Sequence, residues 1–267
     1  MATPREVDGL AFEVDGSGPP LLLLHTGIAT RRMWDPQWPE LCRRFTAIRY
    51  DARGFGDSGD PAADFHPHED ARAVLEAAGF ASALVMGVSM GGADALDLAI
   101  AHPECVRALV AVSTTPGGTE PPPEFAEEYA RIEELVEAGD LEAANEAEMR
   151  AWVDGPGQPP DRVDQAVRTW LGQENLELLR RHSGLGLEAR SLDPPASARL
   201  REVSAPTLVV TGALDQPQVL NGSRALAEAT GAHRVEFEDA AHFPNLERPG
   251  DFAAAVVPFL EEHAGAS

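Results

Sequence analysis

A serine becomes a nucleophile at neutral pH only when a neighbouring base takes its proton. Ser89 sits in a setting suited to that role. It lies in Gly87-Val88-Ser89-Met90-Gly91, between an apolar strand-like run at 83–87 and an Ala-rich helical run at 90–101. A tight strand-to-helix turn holds such a serine with its oxygen above the sheet edge. The flanking positions must be small, because a Cβ there would meet neighbouring backbone. In a chain with 24 glycines the pattern alone also reads as a Gly-rich turn with a capping serine. Two further segments shift the balance. Thr211-Gly212-Ala213-Leu214-Asp215 puts an acid just after a strand, and Ala241-His242-Phe243-Pro244 puts a histidine 27 residues later, after the next strand. Taken singly, Asp215 is a turn residue and His242 a polar loop residue. Taken jointly, in the order Ser, Asp, His, they form the set a nucleophile-elbow hydrolase needs.

The elements that must carry these residues are legible as alternating patterns. Residues 7–14 contain the turn pair Asp8-Gly9 and read as a strand or small hairpin. Residues 20–25, with four consecutive leucines, 45–51 and 83–87 read as buried strands. So do 106–113, 206–212 and 234–238, and 252–263 has helical spacing despite Pro258. Strands separated by helix-length segments imply a mostly parallel sheet flanked by helices, an α/β fold. One stretch breaks the alternation. From Thr114 to about Arg199 there is no strand signal, and helical patterns at 124–153 and 162–181 are separated by a Gly/Pro-rich segment. The expected organisation is a core of 1–113 and 199–267, interrupted by a helical insertion at 114–198.

Composition closes off other chemistries. The 267 residues carry a formal charge of −23 from 44 acids and 21 bases, and every base is Arg. Without lysine there is no Schiff-base enzyme and no lysine-bearing phosphate loop. The negative charge opposes binding to nucleic acid and to anionic membrane surfaces. Residues 113–200 hold 18 acids and 8 Arg, a net −10, which also disfavours a polyanionic substrate. Cys42 and Cys105 form no short-spaced motif and read as small core residues. The first residues lack the apolar run of a signal peptide, and no apolar run is long enough to span a bilayer, so a cytoplasmic location is expected. Association into a homo-oligomer stays open. His66-Pro67-His68 beside Glu69 and Asp70 invites a metal reading, set aside for a surface loop because no further ligand pair lies near in sequence. Asp94 and Asp97 read as surface or cap contacts, and His182, His233 and His263 as solvent-exposed.

These motifs resemble those of the α/β-hydrolase fold family, in its serine hydrolase branch, over nearly the whole chain outside the insertion. Leu21-Leu22-Leu23-Leu24-His25-Thr26-Gly27 is similar to the family's strand followed by His-Gly-x. The segment from Tyr50 to Gly59 resembles its D-x-R-G-x-G-x-S motif, and Asn245-Leu246-Glu247-Arg248-Pro249 resembles the tail after its histidine. The resemblance implies Ser89 as nucleophile, His242 as general base and Asp215 as the group orienting it. It further implies an oxyanion hole from the backbone N–H of Met90 and of Gly27, His25 as a brace for the oxyanion loop, and 114–198 as the helical cap. Thr26 and Ala241 stand where the family has Gly. The identity of Ser89 sets aside the family's Asp- and Cys-nucleophile branches. The Ser-Met-Gly-Gly elbow is similar to that of enol-lactone hydrolases, cofactor-free haloperoxidases and carbon–carbon bond hydrolases. An ester or lactone substrate, small and neutral or apolar, is expected, with no cofactor and no metal. The rivals are a non-hydrolytic binding protein and an isomerase or cyclase on the same fold. Trp34, Trp152 and Trp170 are the expected substrate-binding aromatics, with Phe125, Tyr129 and Met149 as further candidates for an apolar pocket.

Overall fold

The computed structural model describes residues 4–182 and 189–265. Eight strands form one sheet: β1 (Arg5–Val7), β2 (Leu10–Gly16), β3 (Pro20–Leu24), β4 (Thr46–Tyr50), β5 (Ala83–Val88), β6 (Val106–Val112), β7 (Thr207–Gly212) and β8 (His233–Phe237). Their spatial order is β1-β2-β4-β3-β5-β6-β7-β8. The first two strands form the hairpin, turning at Asp8 (φ +49°) and Gly9 (φ +79°), with Val7 opposite Leu10. Both central turn residues have positive φ, which matches the twist of the flanking strands. β2 joins β4 antiparallel, and every later pairing is parallel.

The central strands are apolar throughout because helices cover both sheet faces. Successive side chains of a strand point to opposite faces, so the leucines of β3 divide. Leu21 and Leu23 join a core with Leu41 of α1 (Trp38–Arg44) and Phe252, Val256 and Leu260 of α9 (Pro249–His263). Leu22 and Leu24 join another with Val74 and Leu75 of α2 (Pro67–Ala77), Leu96 of α3 (Met90–Ala101) and Leu226 of α7 (Pro217–Thr230). A short helix, α8 (Pro244–Glu247), precedes α9, and Pro258 is accommodated inside α9. The helices α1, α2 and α7 lie in stretches for which the sequence reading names no element.

Between β6 and β7 the described chain consists of helices and loops, with one isolated bridge, Phe65 to Ala189, and no strand. It contains α4 (Pro123–Glu137), α5 (Leu141–Glu148), a π-helical turn (Met149–Asp154) and α6 (Gln165–His182). Residues 183–188, read above as part of the insertion, lie outside the described residues. Among the described residues no helix is long and apolar enough to cross a membrane.

Candidate active site

Ser89 lies between β5 and α3 with φ +55° and ψ −115°, a conformation that costs an L-residue roughly 1–3 kcal/mol. The surroundings hold it there. Its N–H donates to Val112 O of β6 at 2.9 Å, and its carbonyl accepts from Ala93 in the first turn of α3 at 3.0 Å. A Cβ at Gly87 would collide with the backbone of Gly91, and one at Gly91 with the backbone of Leu24 and His25. Two glycines therefore let β3, β5 and α3 close around the turn.

His242 follows β8 and Asp215 follows β7. His242 Nδ1 lies 2.9 Å from both carboxylate oxygens of Asp215, and both side chains are buried. A carboxylate can only accept, so Nδ1–H donates and Nε2 keeps a lone pair. Asp215 Oδ1 also accepts the Gln216 N–H at 2.7 Å. Gln216 in turn donates from its side chain to Ala151 O at 3.1 Å, tying the acid's loop to the π-helical turn.

Glu247 was quoted above only as part of a motif, and the structure shows what it touches. Its carboxylate accepts the N–H of Ala241 at 3.0 Å and of Phe243 at 3.3 Å, clamping the backbone on both sides of His242. Arg162 pairs with the same carboxylate and also donates to the carbonyls of Val153, Asp154 and Asp239.

On the other side, His25 Nδ1–H donates to Thr26 O at 2.7 Å, and its Nε2 accepts the Ala52 N–H at 2.9 Å. Burial lowers its pKa and keeps the ring neutral, as one donor and one acceptor require. His25 therefore ties the loop after β3 to the loop after β4. Thr26 N–H is directed to Met33 Sδ at 3.3 Å. The Tyr50–Gly59 segment is also a brace: Asp51 accepts the N–H of Arg31 and of Asp57 and pairs with the Arg31 guanidinium.

Ser89 and His242 line one cavity with two lobes. The larger, about 390 Å³, is walled by Phe125, Trp152, Val219 and Pro121. The smaller, about 170 Å³, reaches past Gly27 and Ile28 to Tyr129, Glu148 and Phe243. Met90 lines both lobes. The Trp152 ring stands 4.7 Å from the His242 ring and edge-on to Phe125 at 5.6 Å.

Of Trp34, Trp152 and Trp170, only Trp152 lines the cavity. Trp34 is fully buried in the core beside Met33, because the 3₁₀ turn Arg31–Trp34 points it inward. Trp170 packs on that same core from α6, and Met149 is buried there too. Glu148 is a site residue that sequence reading passed over, since nothing local separates it from the other acids of α5.

Of the remaining titratable groups, His233 is exposed and Cys42 and Cys105 pack with the core, as expected, whereas Asp94, Asp97, His182 and His263 are at least half-buried. Asp97 is buried and accepts the Leu192 N–H, and Asp94 faces a small cavity beneath Tyr50 and Phe55. Burial pushes Asp94 up to about 8, aided by Asp97, and Asp97 up to about 6. His182 is half-buried, with its Nε2 bonded to Gly54 O at 3.0 Å. His263 bonds Phe259 O and is half-buried, Cys42 is half-buried, and Cys105 is a buried thiol. His68 is buried rather than part of a surface loop, and the fold brings His102 to it and Glu69. The ligand atoms of these three lie within 4.8 Å of one another, close enough to hold a metal ion. They lie at the far end of α3, about 18 Å from Ser89 at 1.5 Å per residue.

A model of the alpha/beta hydrolase family matches residues 21–255. A 2-hydroxymuconate semialdehyde hydrolase of Pseudomonas sp. is 30% identical, over 92% of this chain and 88% of its own length. A 3-oxoadipate enol-lactonase of Acinetobacter baylyi is 26% identical, over 98% and 96%. Among solved structures, the enol-lactonase from Burkholderia xenovorans superposes with a TM-score of 0.77 at 23% identity, over 97% of this chain and 100% of that one, a likeness of fold.

Proposed function

The chain belongs to the alpha/beta hydrolase family and is a hydrolase, and from that premise we propose that it cleaves a carboxylic ester or lactone through Ser89, His242 and Asp215. The observation that carries this reading is the buried His242–Asp215 hydrogen bond beside the cavity that the strained Ser89 lines. In the proposed reaction His242 Nε2 takes the Ser89 proton as Oγ attacks the carbonyl carbon. Asp215 holds Nδ1–H and stabilises the imidazolium that forms. The oxyanion receives the N–H of Met90, at the positive end of α3, and that of Gly27. Gly27 is the second donor because Thr26 N–H is directed to Met33 Sδ. The tetrahedral intermediate collapses, the alkoxide leaves with the proton from His242, and an acyl-Ser89 remains. Water, deprotonated by His242, then releases the acid. These residues complete the cycle without a cofactor.

The helical segment 114–198 is the cap of this site, and Phe125 and Trp152 supply the apolar wall of the larger lobe. An acyl or alcohol group of apolar character suits that lobe. A second reading comes from the 30%-identical relative, which acts on a semialdehyde: the same three residues could serve carbon–carbon cleavage. The test is turnover of a 4-nitrophenyl ester by wild type and Ser89→Ala, with fluorophosphonate labelling. Loss of both turnover and labelling is expected. Retained turnover in Ser89→Ala would overturn the reading, and faster cleavage of a carbon–carbon substrate than of a matched ester would favour the alternative.

A further inference from the structure

Glu148 is an acid in an unusual place. It closes α5 and immediately precedes the π-helical turn that carries Trp152, so both side chains line the smaller lobe of the cavity. π-turns recur at functional sites because they re-aim side chains on a helix. Three nearby acids of the insertion are paired with arginines: Asp154 with Arg168, Glu146 with Arg150 and Arg168, Glu142 with Arg180. Among the described residues Glu148 forms no ion pair, and no Arg lines either lobe. Its hydrogen bond comes from Asn175 Nδ2, on Oε2, and Asn175 is itself fixed by Asn145 at 2.9 Å. Burial pushes the carboxyl above its ordinary range. A desolvated carboxylate without a counter-charge is costly, and such groups concentrate at functional sites.

The neighbours of Glu148 in the lobe point to what supplies the missing charge. Tyr129, Trp152 and Phe243 present aromatic rings to the same small volume. Aromatic faces attract cations through the ring quadrupole, and rings grouped around a small space are a recurrent receptor for ammonium groups. A carboxylate among them adds direct Coulomb attraction, strengthened by its partial burial.

We propose that Glu148, with Tyr129, Trp152 and Phe243, makes the smaller lobe a subsite for an ammonium group, so that the enzyme prefers a substrate bearing a cation close to the scissile carbonyl. This rests on the Ser89 hydrolase reading and sharpens it. The substrate is an amino- or trimethylammonium-bearing ester or lactone, with its apolar part in the larger lobe. The reaction itself is unchanged; the cation is bound, not transformed.

The experiment compares isosteres. A choline ester and the matching 3,3-dimethylbutyl ester differ only in N⁺ against C, and a second pair places the same two groups on the acyl chain. kcat/KM is read for each by proton release. The expected result is a preference for the cationic member of about tenfold or more in at least one placement, equivalent to about 1.4 kcal/mol. In Glu148→Gln that ratio falls towards one, and in Tyr129→Phe it is largely retained because the ring remains. A wild-type ratio near or below one in both placements overturns the proposal, and this result depends on no variant folding. So does a ratio that survives Glu148→Gln. A Glu148→Gln enzyme in which both members slow equally also overturns it, since Glu148 would then serve the chemistry or the fold. Ser89→Ala run on the same pairs separates the two questions: persistent turnover there refutes the triad, whereas the ratio alone reports on Glu148.

Discussion

Replacing Glu247 by Gln should slow catalysis without touching the substrate. The wild-type carboxylate accepts the N–H groups of Ala241 and Phe243, on either side of His242, and pairs with Arg162. Gln retains one acceptor oxygen. If that oxygen faces the two N–H groups, the new NH₂ confronts the Arg162 guanidinium, donor against donor. Each hydrogen bond to a charged acceptor is worth about 1.5–3 kcal/mol against about 0.5–1.5 for a neutral one, so the two together lose about 2–3 kcal/mol. Arg162 keeps three carbonyl acceptors, so the added penalty stays below the roughly 3–5 kcal/mol of a wholly orphaned buried charge. A total destabilisation of about 3 kcal/mol is expected. The catalytic effect follows from geometry, because a displacement of about 1 Å at a reacting group can cost about 10²-fold. We expect kcat to fall about 10- to 100-fold with KM nearly constant, since Glu247 lines neither lobe. The assay is steady-state hydrolysis of a 4-nitrophenyl ester beside urea unfolding. A kcat within twofold of wild type, together with the expected loss of stability, would refute the claim that Glu247 positions His242.

The tryptophans separate packing from recognition. Trp34→Ala should destabilise the fold by about 3–5 kcal/mol, because a fully buried side chain is lost, while the relative kcat/KM for short and long acyl chains stays constant. Trp152→Ala should shift that preference several-fold towards larger acyl groups, read from a chain-length series of 4-nitrophenyl esters; an unshifted series would remove Trp152 from the pocket wall. The buried carboxyls predict a pH dependence of stability. Asp94 (about 8) and Asp97 (about 6) hold their protons more tightly folded than unfolded, where a carboxyl titrates near ~3.9. Their stabilising contribution is complete below that unfolded value and is lost as pH rises through about 6 and then about 8. The melting temperature should therefore decline from pH 5 to pH 8, and less so in Asp94→Asn. Equal declines in the two proteins would show that Asp94 does not titrate in this window.

What the sequence determined by itself was local chemistry in a one-dimensional order. Ser89 between two glycines, Asp215 after one strand and His242 after the next could be read directly, because strand and helix periodicities and small-residue requirements are short-range. The four leucines of β3 announced a strand buried on both faces for the same reason. Glu148, Glu247, Trp34 and Trp170 could not be assigned in that way. The two glutamates have many chemically similar neighbours in sequence, and the role of all four depends on how the fold turns the helix or turn that carries them. The π-helical turn at Met149–Asp154 aims Glu148 and Trp152 together at the site, while the turn at Arg31–Trp34 sends Trp34 into the core. His102 meets His68 and Glu69 only because the end of α3 reaches the start of α2. Local pattern decided which elements form and which residues can react. The packing of distant elements decided burial, charge pairing and the walls of the cavity, since these depend on contacts between residues far apart in the chain.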